Sequence, residues 1–417
     1  ESTQLKVLVV SSKYPPGYSG SGLRAHCTYM RLKEKFGIDF EVISSSIESN
    51  DPKVYQLDGV RVERIVSKRA RNLNHRCSYP PLARITNAIL SHIEARAVKR
   101  KLARTSFDLI HTFGYSPATA AAIKMRQELK IPLILEVVNQ VHTPYQYLPG
   151  TRTFTKQDLN HQSLIVAISK GLADMCASFG IVNNVWVRPN PVDTRNFSIP
   201  TEQERMAARK KISSVSENET LVVYVAKYLA QKNHAFLLDV LTKLPESFKL
   251  VLAGPPLVDG DLMPGLKANQ IQTLNQRALE LGVAERVDIS HGFVDMAKYL
   301  AAADVFCFPA EREAMGTPLL ESISSGIPVV ANADESSFQE WVKDGKHGYL
   351  CPLIPEKWAE AIVKASKFSH DKKLIMSEEI KSTASTDLID EQYYKLLTAL
   401  ASTKYLDQLN VKQVLSL

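Results

Sequence analysis

Long hydrophobic runs are missing from these 417 residues. No apolar stretch reaches the ~18–20 residues that a bilayer-spanning helix needs, which argues against an integral helical membrane protein. Cysteine is scarce, with five residues at Cys27, Cys77, Cys176, Cys307 and Cys351. None lies in a CxxC pair or a Cys/His cluster, which excludes a zinc ribbon and a disulfide scaffold and points to reduced thiols. Nothing at the start reads as a secretory leader, and the expectation is a cytoplasmic protein. Short-period repeats and low-complexity tracts are also absent. The glycines of GYSGSG run Gly17, Gly20, Gly22. That order is wrong for the Gly-x-Gly-x-x-Gly of a dinucleotide-binding turn, which sets a dehydrogenase aside.

What is present is ordinary in amount and uneven in placement. Apolar residues make up 45% and charged residues 23%, enough for a sizeable core in two or three domains. The net charge is +7. Between Arg61 and Arg104 twelve Lys or Arg face only Glu63 and Glu94, so that segment carries +10 and the remainder about −3. Such a patch suits an anionic partner, and the plain alternative is a solvated helix face. YPPLARITNAIL (79–90) interleaves apolar residues, as a helix on a membrane surface or facing an acceptor would, and nucleic acid is the less favoured partner.

Continuous apolar runs recur along the chain. LKVLVVSS (5–12), FEVISSS (40–46), FDLIHTFG (107–114), PLILEVV (132–138), LIVAIS (164–169) and VWVRPN (185–190) fall in the first half. LVVYVAK (221–227), FKLVLAG (248–254), RVDISHG (286–292), VFCFPA (305–310), IPVVAN (327–332) and GYLCP (348–352) fall in the second. Unbroken runs separated by helix-like stretches predict parallel βα units. Each half is expected to be a doubly wound α/β domain with a ligand crevice at the carboxyl ends of its strands. The predicted divisions are 1–197, 198–385 and a terminal stretch, 386–417, whose helix packs back on the first domain.

EAMGTPLLESISSG (313–326) places Glu313 in a loop and Glu321 in the helix that follows. Thr317 reads as an N-cap, Pro318 as the first helical residue and Gly326 as the stop, predicting a helix over 318–325. Its first amides, near Leu319 and Leu320, suit a phosphate. Carboxylates repel phosphate but bind hydroxyls by charge-assisted hydrogen bonds. Phosphate flanked by hydroxyls on both sides describes a nucleotide sugar. VAKYLAQKN adds Lys227 and Lys232, two cations after a strand end that could clamp a diphosphate. Taken singly, each of these features also fits solvated surface charge.

In order, these segments resemble the retaining glycosyltransferases of family 4. The two glutamates have the family's seven intervening residues. Ala226-Lys227 through Lys232 is similar to its glycine-arginine-loop-lysine stretch, with Lys for Arg and Ala for Gly. LVLAGPP (250–256), HGFV (291–294), VKDGKHGYLCP (342–352), KYPPGYSGSG (13–22), AISKGLAD (167–174) and RPNPVDTRNF (188–197) extend the resemblance over about 5–400. It implies the GT-B architecture, two facing Rossmann-like domains with a cleft between them. It implies transfer of a sugar from a UDP-, GDP- or ADP-linked donor to a glycan, lipid-linked or anionic acceptor, with retention and no required metal. Lys227 and Lys232 are expected at the diphosphate, Glu321 at the ribose and Glu313 at the sugar. Amides from Gly316 through Thr317, Pro318, Leu319 and Leu320 would complete the cradle. Gly20 and Gly22 would let the first domain's loop approach, and Gly254 and Val294 fall beside the donor.

The family's active-site His has no direct counterpart. Asn139 stands near its place, with His142 as the alternative, and His111 at a strand end is either a cleft residue or a satisfied structural histidine. Asp259-Gly260-Asp261 has a metal-binding spacing but lies in a loop rather than at a strand end. Competing readings on the same fold are sugar-nucleotide epimerisation, phosphorolysis, or a non-catalytic sugar-nucleotide binder. A glycosidase would not need the lysines or the helix start.

Overall fold

The computed structural model describes residues 4–16, 20–45, 53–65, 80–114, 116–137, 163–213, 215–255, 257, 267–268, 270–292, 294–313, 316–403 and 409–417. Asn139, His142 and the Asp259–Asp261 stretch lie outside them. The chain forms two compact units, Glu1–Pro189 with Ile389–Leu417, and Asn190–Leu388.

In the first unit eight strands follow the order β3-β4-β2-β1-β5-β6-β7-β8. They are β1 (Lys6–Ser11), β2 (Asp39–Ser45), β3 (Val54–Leu57), β4 (Val60–Ile65), β5 (Leu109–Phe113), β6 (Leu133–Val137), β7 (Leu164–Ala167) and β8 (Val185–Val187). Every pairing is parallel except β3 with β4. The apolar runs account for β1, β2 and β5–β8: covered on both faces, β5, β6 and β7 are buried at every position.

The β3–β4 hairpin departs from the predicted all-parallel pattern. Its signal is Asp58-Gly59, both with positive φ (49° and 77°), the backbone of a two-residue hairpin turn. It lies against and partly inside the basic segment, where charge overshadows the alternating apolar residues.

The helix Thr386–Ser402 completes this unit's core. Tyr393, Leu396, Leu397 and Leu400 pack in one cluster with Val7, Tyr29 and Phe113. Its Asp390, fully buried, takes Arg31 (2.9 Å) and Lys35 (2.8 Å) from the helix Gly20–Phe36. Tyr394 stacks on Phe36, with ring centroids 4.4 Å apart.

In the second unit six parallel strands follow the order β11-β10-β9-β12-β13-β14. They are β9 (Thr220–Val225), β10 (Phe248–Gly254), β11 (Val287–His291), β12 (Val305–Phe308), β13 (Val329–Asn332) and β14 (Gly348–Cys351). From β9 the chain builds outward to β10 and β11, then returns to β9's other side for β12. The strand order therefore reverses between β9 and β12, and a ligand crevice is expected beyond their carboxyl ends. Residues 226–232 follow β9 and residues 309–316 follow β12.

Candidate active site

At that switch point two loops are stitched together. After β9 a single 3-10 turn, Ala230–Lys232, ends at Asn233, whose φ is 57°. Tyr224 donates to the Lys232 carbonyl at 2.8 Å, and the Glu311 amide donates to Gln231 at 3.0 Å. The side chains then meet: Lys232 Nζ lies 2.6 Å from Glu313 Oε2, both mostly shielded from solvent. Glu313 is fixed from behind as well. Its amide donates to Glu335 at 3.3 Å, and Ser337, at 3.1 Å from that same carboxylate, holds Glu335 in place. Glu335 caps the helix Ser336–Trp341. Sequence reasoning missed Glu335 and Ser337; the only signal was a capping residue in an unremarkable turn.

Lys227 is partly exposed and follows the same strand. Its backbone is placed by Gly254. A Cβ on Gly254 would lie 2.0 Å from the Ala226 carbonyl oxygen and 3.4 Å from the Lys227 amide nitrogen, so the two strand ends close only around a glycine. The Ala226 carbonyl also accepts from His234 Nε2 at 3.2 Å. His234 is fully buried between Tyr224 and Tyr228. Burial lowers its pKa to about 4, with the nearby Lys232 charge adding to the effect, so the ring is neutral. Its role as a buttress was also missed from the sequence.

The helix after the Glu313 loop spans Thr317–Ser324, one residue earlier than predicted. Its N-cap is Gly316, with φ 70°, and not Thr317. The Thr317 hydroxyl is engaged elsewhere, accepting from Asn190 Nδ2 at 3.0 Å. A Cβ on Gly316 would lie 3.0 Å from the Phe338 ring. Leu319, expected to offer its amide, donates it to Gly316 at 2.8 Å, and Pro318 has no N–H. The Leu319 and Leu320 side chains are in the core.

Glu321 sits mostly sheltered in the first turns of this helix, and among the described residues its carboxylate has no hydrogen-bond or ionic partner. Burial raises its pKa to about 7. A shielded acid without a protein partner is a candidate to accept from hydroxyl donors. Val294 is partly buried just before the helix Met296–Ala302.

In the first unit, Gly22 packs its helix onto the chain after β1: a Cβ there would lie 2.3 Å from the Lys13 carbonyl oxygen. Gly20 faces open space. His111 is fully buried with both ring nitrogens engaged, Nδ1 with Tyr29 OH (2.7 Å) and Nε2 with Glu136 (3.1 Å). Glu136 also pairs with Arg188, which bonds Tyr393 at 2.8 Å. Burial alone would raise the Glu136 pKa, but Arg188, His111 and Arg24 hold it near 2. Of the two readings offered for His111, this geometry is that of a satisfied structural histidine.

The second doubly wound sheet thus carries a lysine–glutamate pair, Lys232 and Glu313, at its switch point. Residues 206–383 match the model of glycosyl transferases group 1, and residues 33–196 match that of glycosyltransferase family 4. The chain belongs to this family, and it is a glycosyltransferase that uses a nucleotide-sugar donor. It is 25% identical over 383 residues to TuaC of Bacillus subtilis (strain 168), described as a glycosyltransferase of teichuronic acid biosynthesis, covering 88% of this chain and 90% of that one. The fold is GT-B. Anabaena HepE, solved with UDP and glucose, superposes with a TM-score of 0.66 at 18% identity, over 95% of this chain and all of that one. The catalytic domain of Arabidopsis thaliana starch synthase IV, bound to ADP and acarbose, gives 0.65 at 14% identity, over 96% of this chain and 100% of that one.

Proposed function

We propose that the protein transfers a hexosyl group, with retention, from a nucleoside-diphosphate sugar to a hydroxyl of a glycan or lipid-linked acceptor. The 2.6 Å pairing of Lys232 with Glu313 at the β9/β12 switch point carries this reading. Lys232 and Glu313 satisfy each other. A donor would separate them, drawing Lys232 and Lys227 to its diphosphate and leaving Glu313 for the sugar hydroxyls. Glu321 would accept from the ribose diol, which compensates its lack of a partner.

In the reaction the bond from the anomeric carbon to the diphosphate oxygen breaks and one to the acceptor oxygen forms on the same face. The acceptor proton passes to a phosphate oxygen. Negative charge gathers on the diphosphate, where Lys227 and the released Lys232 would meet it, with the N-terminal end of the Thr317–Ser324 helix dipole adding to them. On this reading lysines do what a metal does elsewhere, and EDTA is expected to leave turnover unchanged. The basic segment 61–104 would bring the protein to an anionic or membrane-borne acceptor.

Thermal-shift titration with UDP, GDP, ADP and their sugar conjugates tests the donor reading. One nucleotide is expected to stabilise the protein, and Glu321→Ala is expected to abolish that shift. A shift of equal size in the variant, or none with any nucleotide in the parent, counts against it.

A further inference from the structure

Far along the chain from the donor loops, the first unit holds a concave cluster of cations. A cavity of about 510 Å³ is lined by Lys53, Arg61, Arg64, Arg100, Lys101 and Arg104, against the two carboxylates Glu41 and Glu63. The surplus is four positive charges.

Both carboxylates are already engaged. Lys101, itself buried, pairs with Glu41 and, at 2.9 Å, with Glu63. Lys6 takes the other Glu41 oxygen at 2.8 Å, and Arg61 lies 3.1 Å from Glu63. Burial would raise the Glu41 pKa, but Lys101 and Lys6 outweigh it and hold the carboxyl below its usual range. Arg64 is fixed with its guanidinium 4.5 Å over the Tyr55 ring. Lys53, Arg100 and Arg104 remain, exposed, with no carboxylate partner among the described residues.

Arg100, Lys101 and Arg104 lie in the last turns of the helix Pro80–Arg104, whose carbonyl end attracts cations. That end is worth only about half a negative charge, so it does not account for the surplus. Nor is this the substrate end of the sheet. Lys6, which pairs with the lining Glu41, begins β1, and the lining Thr105 precedes β5, whereas Gly22 packs beyond the carboxyl end of β1.

Guanidinium and ammonium groups converging on one concavity suit a compact ligand with more than one negative charge, and paired N–H donors fit phosphate oxygens. A monocarboxylate would leave most of the surplus in place. We propose that this groove is a second anion site, separate from the donor site, that holds a phosphate monoester, carried either by a soluble sugar or glycerol phosphate or by a lipid headgroup. The proposal uses none of the donor residues and does not rest on their roles.

The test is calorimetric binding of glycerol 3-phosphate, alongside flotation with vesicles of phosphatidic acid in phosphatidylcholine. Three proteins are compared: the parent, the triple variant Lys53→Ser/Arg100→Ser/Arg104→Ser, and Lys232→Ala. Circular dichroism checks that all three fold. Glycerol 3-phosphate affinity is expected to fall at least tenfold in the triple variant and to persist in Lys232→Ala. If phosphatidic acid vesicles also bind and lose binding in the triple variant, the source is a lipid; if they do not bind, it is soluble. Glycerol 3-phosphate binding that survives the triple substitution, or is lost only in Lys232→Ala, overturns the site. So does vesicle binding with no measurable glycerol 3-phosphate binding, which would reveal diffuse surface charge.

Discussion

Glu321, mostly sheltered, and His234, fully buried, are titratable groups in the second unit, and both have shifted pKa values. Glu321 titrates near 7 when folded, above the ~4.3 of an unfolded glutamate. Its contribution to stability is therefore present in full below about 4.3 and is lost as pH rises through 7. His234 runs the other way. With a folded value near 4 against ~6.5 unfolded, it costs stability as pH falls from about 6.5 toward 4. The two trends oppose each other in mildly acid solution. Glu321→Gln is expected to stabilise the ligand-free protein at pH 8 and to expose the acid-side loss from His234 in urea denaturation across pH 4–8. An unchanged profile would mean that Glu321 titrates normally. If ribose hydroxyls bind the carboxylate, nucleotide binding near pH 7 should also release protons, measurable as a buffer-dependent heat.

The spacing of Glu313 and Glu321 and the lysines after a strand were legible in the sequence because they are charges in apolar surroundings. Glu335, Ser337 and His234 were not, because they act on backbone groups whose positions only the fold sets.

Among the elements, the helix start at Gly316 shows how a cap can be misplaced by sequence reading. Thr317 has the composition of a cap, but its hydroxyl bonds Asn190, and the left-handed cap falls to the glycine before it. Propensity ranks residues for a position; it does not register a competing partner more than a hundred residues away. Gly316→Val should lower the melting temperature, since a side chain at that φ costs ~1–2 kcal/mol and would also press on Phe338. It should weaken nucleotide binding too, because Glu313 and the helix start share the loop. Loss of stability with intact nucleotide affinity would separate the cap from the site.

The twelve apolar runs were readable as strands because their length and spacing leave few alternatives, even where, as in β8 and β11, the strand is mostly not buried. The β3–β4 hairpin was hidden because Asp58-Gly59 follows a short, partly exposed β3 and sits beside a dense run of charge.

For the molecule as a whole, the helix Thr386–Ser402 is part of the first unit's core rather than a tail. Arg188 is fully buried with Glu136 and Tyr393 as partners. Glu136→Leu would leave that guanidinium buried without its carboxylate and is expected to cost ~3–5 kcal/mol, read by chemical denaturation. Tyr393→Phe should cost less, ~1.5–3 kcal/mol, since it removes one hydroxyl whose partners are both charged. Ending the chain before Ile389 would strip Tyr393, Leu396, Leu397 and Leu400 from the core, and such a protein is expected to be insoluble.

The donor site itself is tested most directly by single-turnover consumption of the nucleotide sugar identified in the thermal-shift screen, comparing the parent with Lys232→Ala. If Lys232 meets the charge developing on the diphosphate, the rate should fall ~10²–10³-fold, with donor affinity changing far less. A rate within threefold of the parent would contradict the assignment of the Lys232–Glu313 pair as the centre of the reaction.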